Sequence, residues 1–521
     1  MTSGQSGDRL SWGDALFLYL ERAGMPLNIA SVSIFEGEIS LEDCIRSIAS
    51  KLPLLPRYRQ RIVAPPLNVG FPSWEPDPDF DIRNHIHQAT LKLGSERELR
   101  AVAGRVLGTA MDRRRPLWDL TLVRGFERNR TALVMRAHHC LADGIAGVGL
   151  MSVLMDSGPQ PPSPPKKGRS RQPQRPQGPW TLLLDGCVST SSDFIQRALT
   201  AQADLVKFSE SLLAAGDWPV GEFTRFLPEL TAPTERLFFN MTYQGPQKFA
   251  WARIPLPTIK AIREKSGATH NDVVLALMTA TVERYAELHG ENVKGRRLRM
   301  MVPVSVRRGD QQGELGNCIS LLPVTVPLGI RHAGKLLAAV HERVDFLKRA
   351  HIAELVGIAG GLLGAAPPPL QALMGPIASL LPIMPFNLVC TNVRGPESPL
   401  YLLGHKMLDW YPYVPVGGEM ALNCAILSYN DVTYFGFSGD AYAAPGLERL
   451  PALLILSLTE LLRAFGIQPE QRKRSRKVRP EARQDRSASA SAATVTLLNR
   501  PVMAQRPAAK EREALASFAA D

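Results

Sequence analysis

Apolar residues recur along this chain at two periods, and the places where the period changes divide it into elements. Asp14 to Glu21 (DALFLYLE) reads as a short helix and Ile29 to Phe35 (IASVSIF) as a strand. Ser95 to Met111 places Leu99, Val102, Val106 and Leu107 near the 3.6-residue repeat of a helix face. Leu120–Val123 and Ala132–Ala137 read as strands, followed by an apolar helix from Gly144 to Met155. Further on, Asn271–Glu283 and Ala333–Lys348 carry helical spacing. Arg299–Val306, Ser320–Val326, Leu388–Asn392, Leu422–Tyr429 and Val432–Gly439 carry strand spacing. The pattern predicts mixed α/β structure on both sides of a central break.

That break is the Pro-rich segment 157–180, and a second low-complexity stretch, 468–521, closes the chain. Neither segment offers enough apolar surface to build a core. The expected organisation is therefore an N-terminal domain over 1–156, a linker over 157–180, a C-terminal domain over 181–467 and a tail over 468–521.

Charge sharpens this division. The formal net charge is +12, a value that taken whole suggests a polyanionic partner. The linker holds Lys166, Lys167, Arg169, Arg171 and Arg175 without an acidic residue, and the tail holds 12 basic against 6 acidic residues. Removing +5 and +6 leaves about +1 for the two domains. A nucleic-acid partner is thus disfavoured, because the basic segments lack interleaved aromatics. With 45% hydrophobic and 21% charged residues the remainder is globular. Six scattered Cys with no CxxC pair, and a polar start from Met1 to Leu10, lead us to expect a reduced cytoplasmic protein without a secretion signal.

One stretch, Leu355 to Asn387, is long enough to span a bilayer and carries no charge. Pro367, Pro368, Pro369, Pro376, Pro382 and Pro385 interrupt it, so no continuous membrane helix survives. Two readings stay open: a buried pair of helices, or a surface that meets acyl chains.

Chemistry concentrates at Thr131 to Met155. An apolar strand runs into His138-His139-Cys140-Leu141-Ala142-Asp143-Gly144 and then into an apolar helix. A strand–turn–helix junction is a common position for functional side chains. His139 and Asp143 form HxxxD. Neutral imidazole can take a proton from an alcohol or amine attacking a thioester, while Asp143 can cap the helix and Gly144 lets the backbone approach closely. HxxxD also arises by chance, and Asp-Gly after a strand is often only a turn. His138 reads either as a second functional imidazole or as a packed neighbour. The sequence has no GxSxG elbow and no phosphate-cradling glycine loop. His85 and His87 share the spacing of a metal pair but lack further ligands, so we read them as ordinary surface histidines.

HHCLADG resembles the HHxxxDG motif of the bacterial wax ester synthase/acyl-CoA:diacylglycerol acyltransferase family, and other blocks resemble that family in order. They include LSWGDALFLYLERAGMPLNIASVSIFEG, the Pro116-Leu117-Trp118 element, GATHNDVVLALM with Asn271-Asp272, MMVPVSVR, TNVRGP and ALNCAILSYN. Together they run from about Leu10 to Arg463 outside the linker. The resemblance implies two chloramphenicol-acetyltransferase-like α/β domains facing each other across a tunnel. It makes His139 the general base for direct attack on the thioester, without an acyl-enzyme intermediate. Asp143 takes a structural role, pairing with Arg307, and Gly144 keeps the turn tight. Asn271 becomes a candidate donor to the developing oxyanion, its plain reading being a helix N-cap. Pro116, Leu117 and Trp118 would line or buttress the tunnel, their plain reading being core, and Asp272 would bind substrate. Arg394 departs from the family, which often has Pro there.

The implied activity is transfer of a long-chain acyl group from acyl-CoA, as co-substrate and with no cofactor, to diacylglycerol or a fatty alcohol. The products are triacylglycerol or wax ester. Such substrates imply peripheral contact with the inner face of the cell membrane or a lipid droplet, to which the basic segments could contribute. Two alternatives remain: a condensation-type acyltransferase using another acceptor or a carrier-protein thioester, and a non-catalytic lipid-binding protein of the same fold. Acceptor, chain length and oligomeric state are not written in the sequence.

Overall fold

Among the described residues two six-stranded sheets carry the fold, and their composition departs from the division that the linker suggests. The computed structural model describes residues 9–160 (except 23 and 128), 202, 232–305, 319–354, 356–357, 364, 366–378 and 385–468. Arg307, nearly all of the linker and tail, and parts of the uncharged stretch lie outside these residues.

The first sheet grows from β1 (Asn28–Glu36), whose Val32, Ile34 and Phe35 are buried. It pairs antiparallel with β6 (Arg130–His138) in a register that sets Asn28 opposite His138. β5 (Trp118–Phe126) and the parallel β4 (Ile86–Thr90) extend the sheet on one side. On the other side come β12 (His405–Tyr413) and the short β11 (Tyr401–Leu402), which belong to the second half of the chain. Helices α1 (Trp12–Leu20), α2 (Leu41–Lys51), α3 (Glu96–Leu107) and α4 (Gly144–Leu154) accompany this sheet, and β2 (Gln60–Val63) and β3 (Ser73–Pro76) form a small ribbon.

The second sheet has the order β7 (Gln247–Pro255), β14 (Val432–Asp440), β13 (Leu422–Tyr429), β10 (Leu388–Arg394), β8 (Arg297–Ser305) and β9 (Ile319–Pro327). Helices α5 (Leu256–Ser266), α6 (His270–Leu288), α7 (Ala333–Arg349) and α9 (Leu450–Ala464) complete this half. α6, α7 and α9 share its core with Met300, Val324, Cys390 and Phe435. The two sheets meet where β14 passes β12: a Cβ on Gly436 would lie 1.8 Å from the Pro412 carbonyl oxygen. Only glycine allows that approach.

The predicted elements recur with ends shifted by a few residues. The helix expected over 95–111 stops at Leu107, with Gly108 as its C-cap. Within the uncharged stretch the structure places α8 (Pro368–Ala378), which leaves Leu370, Leu373 and Met374 exposed. Among the described residues no helix is long and apolar enough to cross a membrane. The fold is mixed α/β, as expected.

Candidate active site

β6 ends at His138 and α4 begins at Gly144, so the HHCLADG turn is held at both ends by regular structure. Asp143 is the N-cap of α4: its Oδ1 accepts the Ala146 N–H at 2.7 Å. That satisfies one of the donors a helix start leaves without a partner. The His138 N–H donates to Leu117 O and the His139 N–H to Leu27 O, each at 2.9 Å, which pins the turn to two neighbouring segments.

Both imidazoles are fixed, in different ways. His138 is fully buried. Its Nδ1 accepts the Cys140 N–H at 3.1 Å, and its Nε2 lies 3.4 Å from Glu21 Oε1. His139 stacks on Phe17 of α1, with ring centroids 3.8 Å apart and planes 9° from parallel. Its ring also reaches the wall of a cavity of about 580 Å3. Burial, with a smaller contribution from the neighbouring His138, holds the His139 pKa down to about 4. The ring is thus a neutral base throughout the physiological range. Burial also pushes the Cys140 thiol well up, so it is no thiolate nucleophile.

The cavity lies between the two sheets and draws walls from both. β1, β6 and α4 supply Ile29, Ala137 and Met151; β8, β10 and β13 supply Val302, Thr391 and Ile426; β12 supplies Trp410. A mostly apolar space with a few convergent polar groups is the usual form of a site for an apolar ligand. Gly144 belongs to its wall, and a Cβ there would stand 3.2 Å from Val393 Cγ2. Arg136 also borders the cavity, but its guanidinium is engaged by Asp119 (Nη2 to Oδ2, 2.7 Å) and by Val106 O at 2.6 Å. It is therefore a sealed ion pair, not a loose cation.

Asn271 lines the same cavity from α6. It is not the N-cap: Thr269 is, in a reciprocal capping box with Asp272. Asn392 Nδ2 donates to Asn271 Oδ1 at 3.3 Å, leaving the Asn271 amide hydrogens as the donors it can offer the cavity. Asp272 is fully buried, takes the Thr269 N–H at 2.9 Å and meets His341 Nδ1 at 2.7 Å; it is absent from the cavity wall where substrate binding would require it.

Pro116, Leu117 and Trp118 are buried behind the turn, and none of them lines the cavity. Trp118 donates from Nε1 to Tyr58 O at 2.7 Å and stacks on His85. His85 is accordingly a core residue with Nδ1 2.8 Å from Trp118 O, which corrects its reading as a surface histidine. The missing signal was the aromatic pair Phe80 and Trp118, between which the ring packs. Arg307 lies outside the described residues, so its pairing with Asp143 is left to the sequence. Phe17, Glu21, Asn392 and the cavity-lining Arg394 are site residues that the motif alone did not single out, although each falls in a block quoted above. Among the described residues no group of three or more His, Cys, Asp or Glu is placed to hold a metal.

A wax ester synthase/diacylglycerol acyltransferase catalytic domain model matches residues 10–274, and the corresponding C-terminal domain model matches 315–462. A Mycobacterium tuberculosis protein named as a diacylglycerol O-acyltransferase is 27% identical over 431 residues, covering 82% of this chain and 90% of its own. A second protein of that organism, similarly named, is 29% identical over 484 residues, covering 89% and 92%. Among solved structures, a wax ester synthase/diacylglycerol acyltransferase from Marinobacter aquaeolei superposes with TM-score 0.60 at 24% identity, covering 88% of this chain and 100% of that one. A first condensation domain of the calcium-dependent antibiotic synthetase superposes with TM-score 0.54 at 14% identity, covering 88% and 97%.

Proposed function

Because the chain belongs to the wax ester synthase/diacylglycerol acyltransferase family, it is an acyl-CoA-dependent O-acyltransferase acting on diacylglycerol or a fatty alcohol, and we propose that His139 is the base that activates the acceptor. The observation that carries this reading is the position of His139. It is the imidazole of the pair that reaches the cavity, with its pKa held down to about 4 by burial.

The neutral imidazole takes the hydroxyl proton as the acceptor oxygen attacks the thioester carbonyl. The C–S bond then breaks, the ester is released, and the imidazolium returns its proton to the departing CoA thiolate. General-base assistance of this kind contributes about 10²–10⁴-fold. Holding two substrates in one apolar cavity contributes further by orientation. In this reading the Asn271 amide, on the cavity wall, donates to the oxyanion formed during attack. Asp143 acts on the turn, through the cap, and not on the substrate.

Peripheral contact with a lipid surface suits such acceptors. Support comes from α8, whose Leu370, Leu373 and Met374 are exposed in an uncharged segment, and from the basic composition of 157–180 and 468–521.

The test is purified protein supplied with palmitoyl-CoA and either dioleoylglycerol or hexadecanol, following CoA release and the lipid product. Triacylglycerol or wax ester formed in step with CoA supports the reading. CoA release without ester, or no turnover with either acceptor, contradicts it and turns attention to carrier-bound or other acceptors.

A further inference from the structure

Helix α1 holds both imidazoles of the motif, although it is distant from them in sequence. Phe17, within the helix, stacks on His139; Glu21, its C-cap residue, faces His138. The Glu21 side chain is nearly buried and well tied. Oε1 accepts the Leu27 N–H at 3.1 Å, and Oε2 accepts Arg113 Nη2 at 2.7 Å. The same Arg113 Nη2 donates to Leu18 O at 2.9 Å, closing a carbonyl at the end of α1. The carboxylate is therefore fixed before it meets the imidazole.

One hydrogen bond also sets the proton on His138. Its Nδ1 accepts the Cys140 N–H, so the ring hydrogen of the neutral imidazole belongs on Nε2, the nitrogen facing Glu21. We propose that Glu21 is a positioning residue for acyl transfer. It fixes the Nε2–H tautomer of His138, whose Nδ1 then holds the Cys140 N–H and orients the turn from which His139 reaches the cavity. Glu21 and His138 stand behind the reacting groups and line no part of the cavity. The proposal rests on His139 being the base, because only then does the orientation of this turn govern turnover.

Glu21→Gln keeps an acceptor for Leu27 but removes the charge. His138→Asn keeps an acceptor near the Nδ1 position but cannot reach Glu21. Each is expected to lower kcat by about 10²-fold, the scale of a catalytic group displaced by about 1 Å, with KM for palmitoyl-CoA unchanged. The double variant should be no slower than the slower single one. Wild-type kcat in Glu21→Gln, single losses that multiply in the double variant, or a rise in KM at constant kcat would each overturn the proposal. Ring 15N NMR of the histidine-labelled full chain supplies a readout independent of variant folding: His138 should be the Nε2–H tautomer, and an Nδ1–H tautomer overturns the proposal. His139→Ala in the same assay separates the two claims. If it is inactive while Glu21→Gln is normal, only the positioning role falls; if it turns over normally, the base assignment falls as well.

Discussion

His139 departs from an ordinary histidine because of where its ring is. Burial beside Phe17 and His138 brings its pKa down to about 4, so the base is lost only as pH falls through that value and not near 6.5. We expect kcat/KM for acyl transfer to stay level from pH 8 to pH 5. A pH–rate profile checks this, and a fall centred near 6.5 would show that the imidazole is solvated as in a free peptide. The His139 and Asp143 pair was visible in the sequence because both lie on one short turn. Glu21 and Asn392 were not singled out, since their partners His138 and Asn271 come from distant segments and no local period encodes such contacts.

Elements show the same limit in another form. Elements with a plain apolar signal, such as the nearly all-apolar run of β13 and the one-faced helix α7, were legible to within a residue of their ends. β12 was not, because Asp409 interrupts its apolar pattern; the fold accommodates that carboxylate by pairing it with Arg253 of β7. The crossing of β12 by β14 depends on Gly436 having no side chain. Gly436→Ala would drive a methyl into the Pro412 carbonyl and should destabilise the protein by about 1–3 kcal/mol or more. Thermal unfolding measures this, and an unchanged Tm would mean that the sheets do not meet as closely as described.

At the scale of the whole molecule, the linker marks a boundary in the sequence, whereas the sheets do not respect it. β11 and β12, from beyond the linker, complete the first sheet, and β12 lends Trp410 to the cavity wall. Strand exchange of this kind is long-range pairing, which composition and local period do not record. The charge is a separate matter: +5 belongs to the linker and +6 to the tail, which leaves the two domains near neutrality. Deleting 468–521 and neutralising the linker should weaken binding to anionic vesicles at low salt, at about 1 kcal/mol for each basic residue near the surface. Vesicle sedimentation reads this, and unchanged binding would remove those segments from membrane contact. All of these features serve one claim, that the imidazole of His139 activates the acceptor in a cavity shared by both sheets. It is tested most directly by single-turnover ester formation from palmitoyl-CoA with the preferred acceptor in wild type and His139→Ala. The account predicts a loss of about 10²–10⁴-fold in the rate constant of a folded variant, and ester formation at the wild-type rate would contradict it.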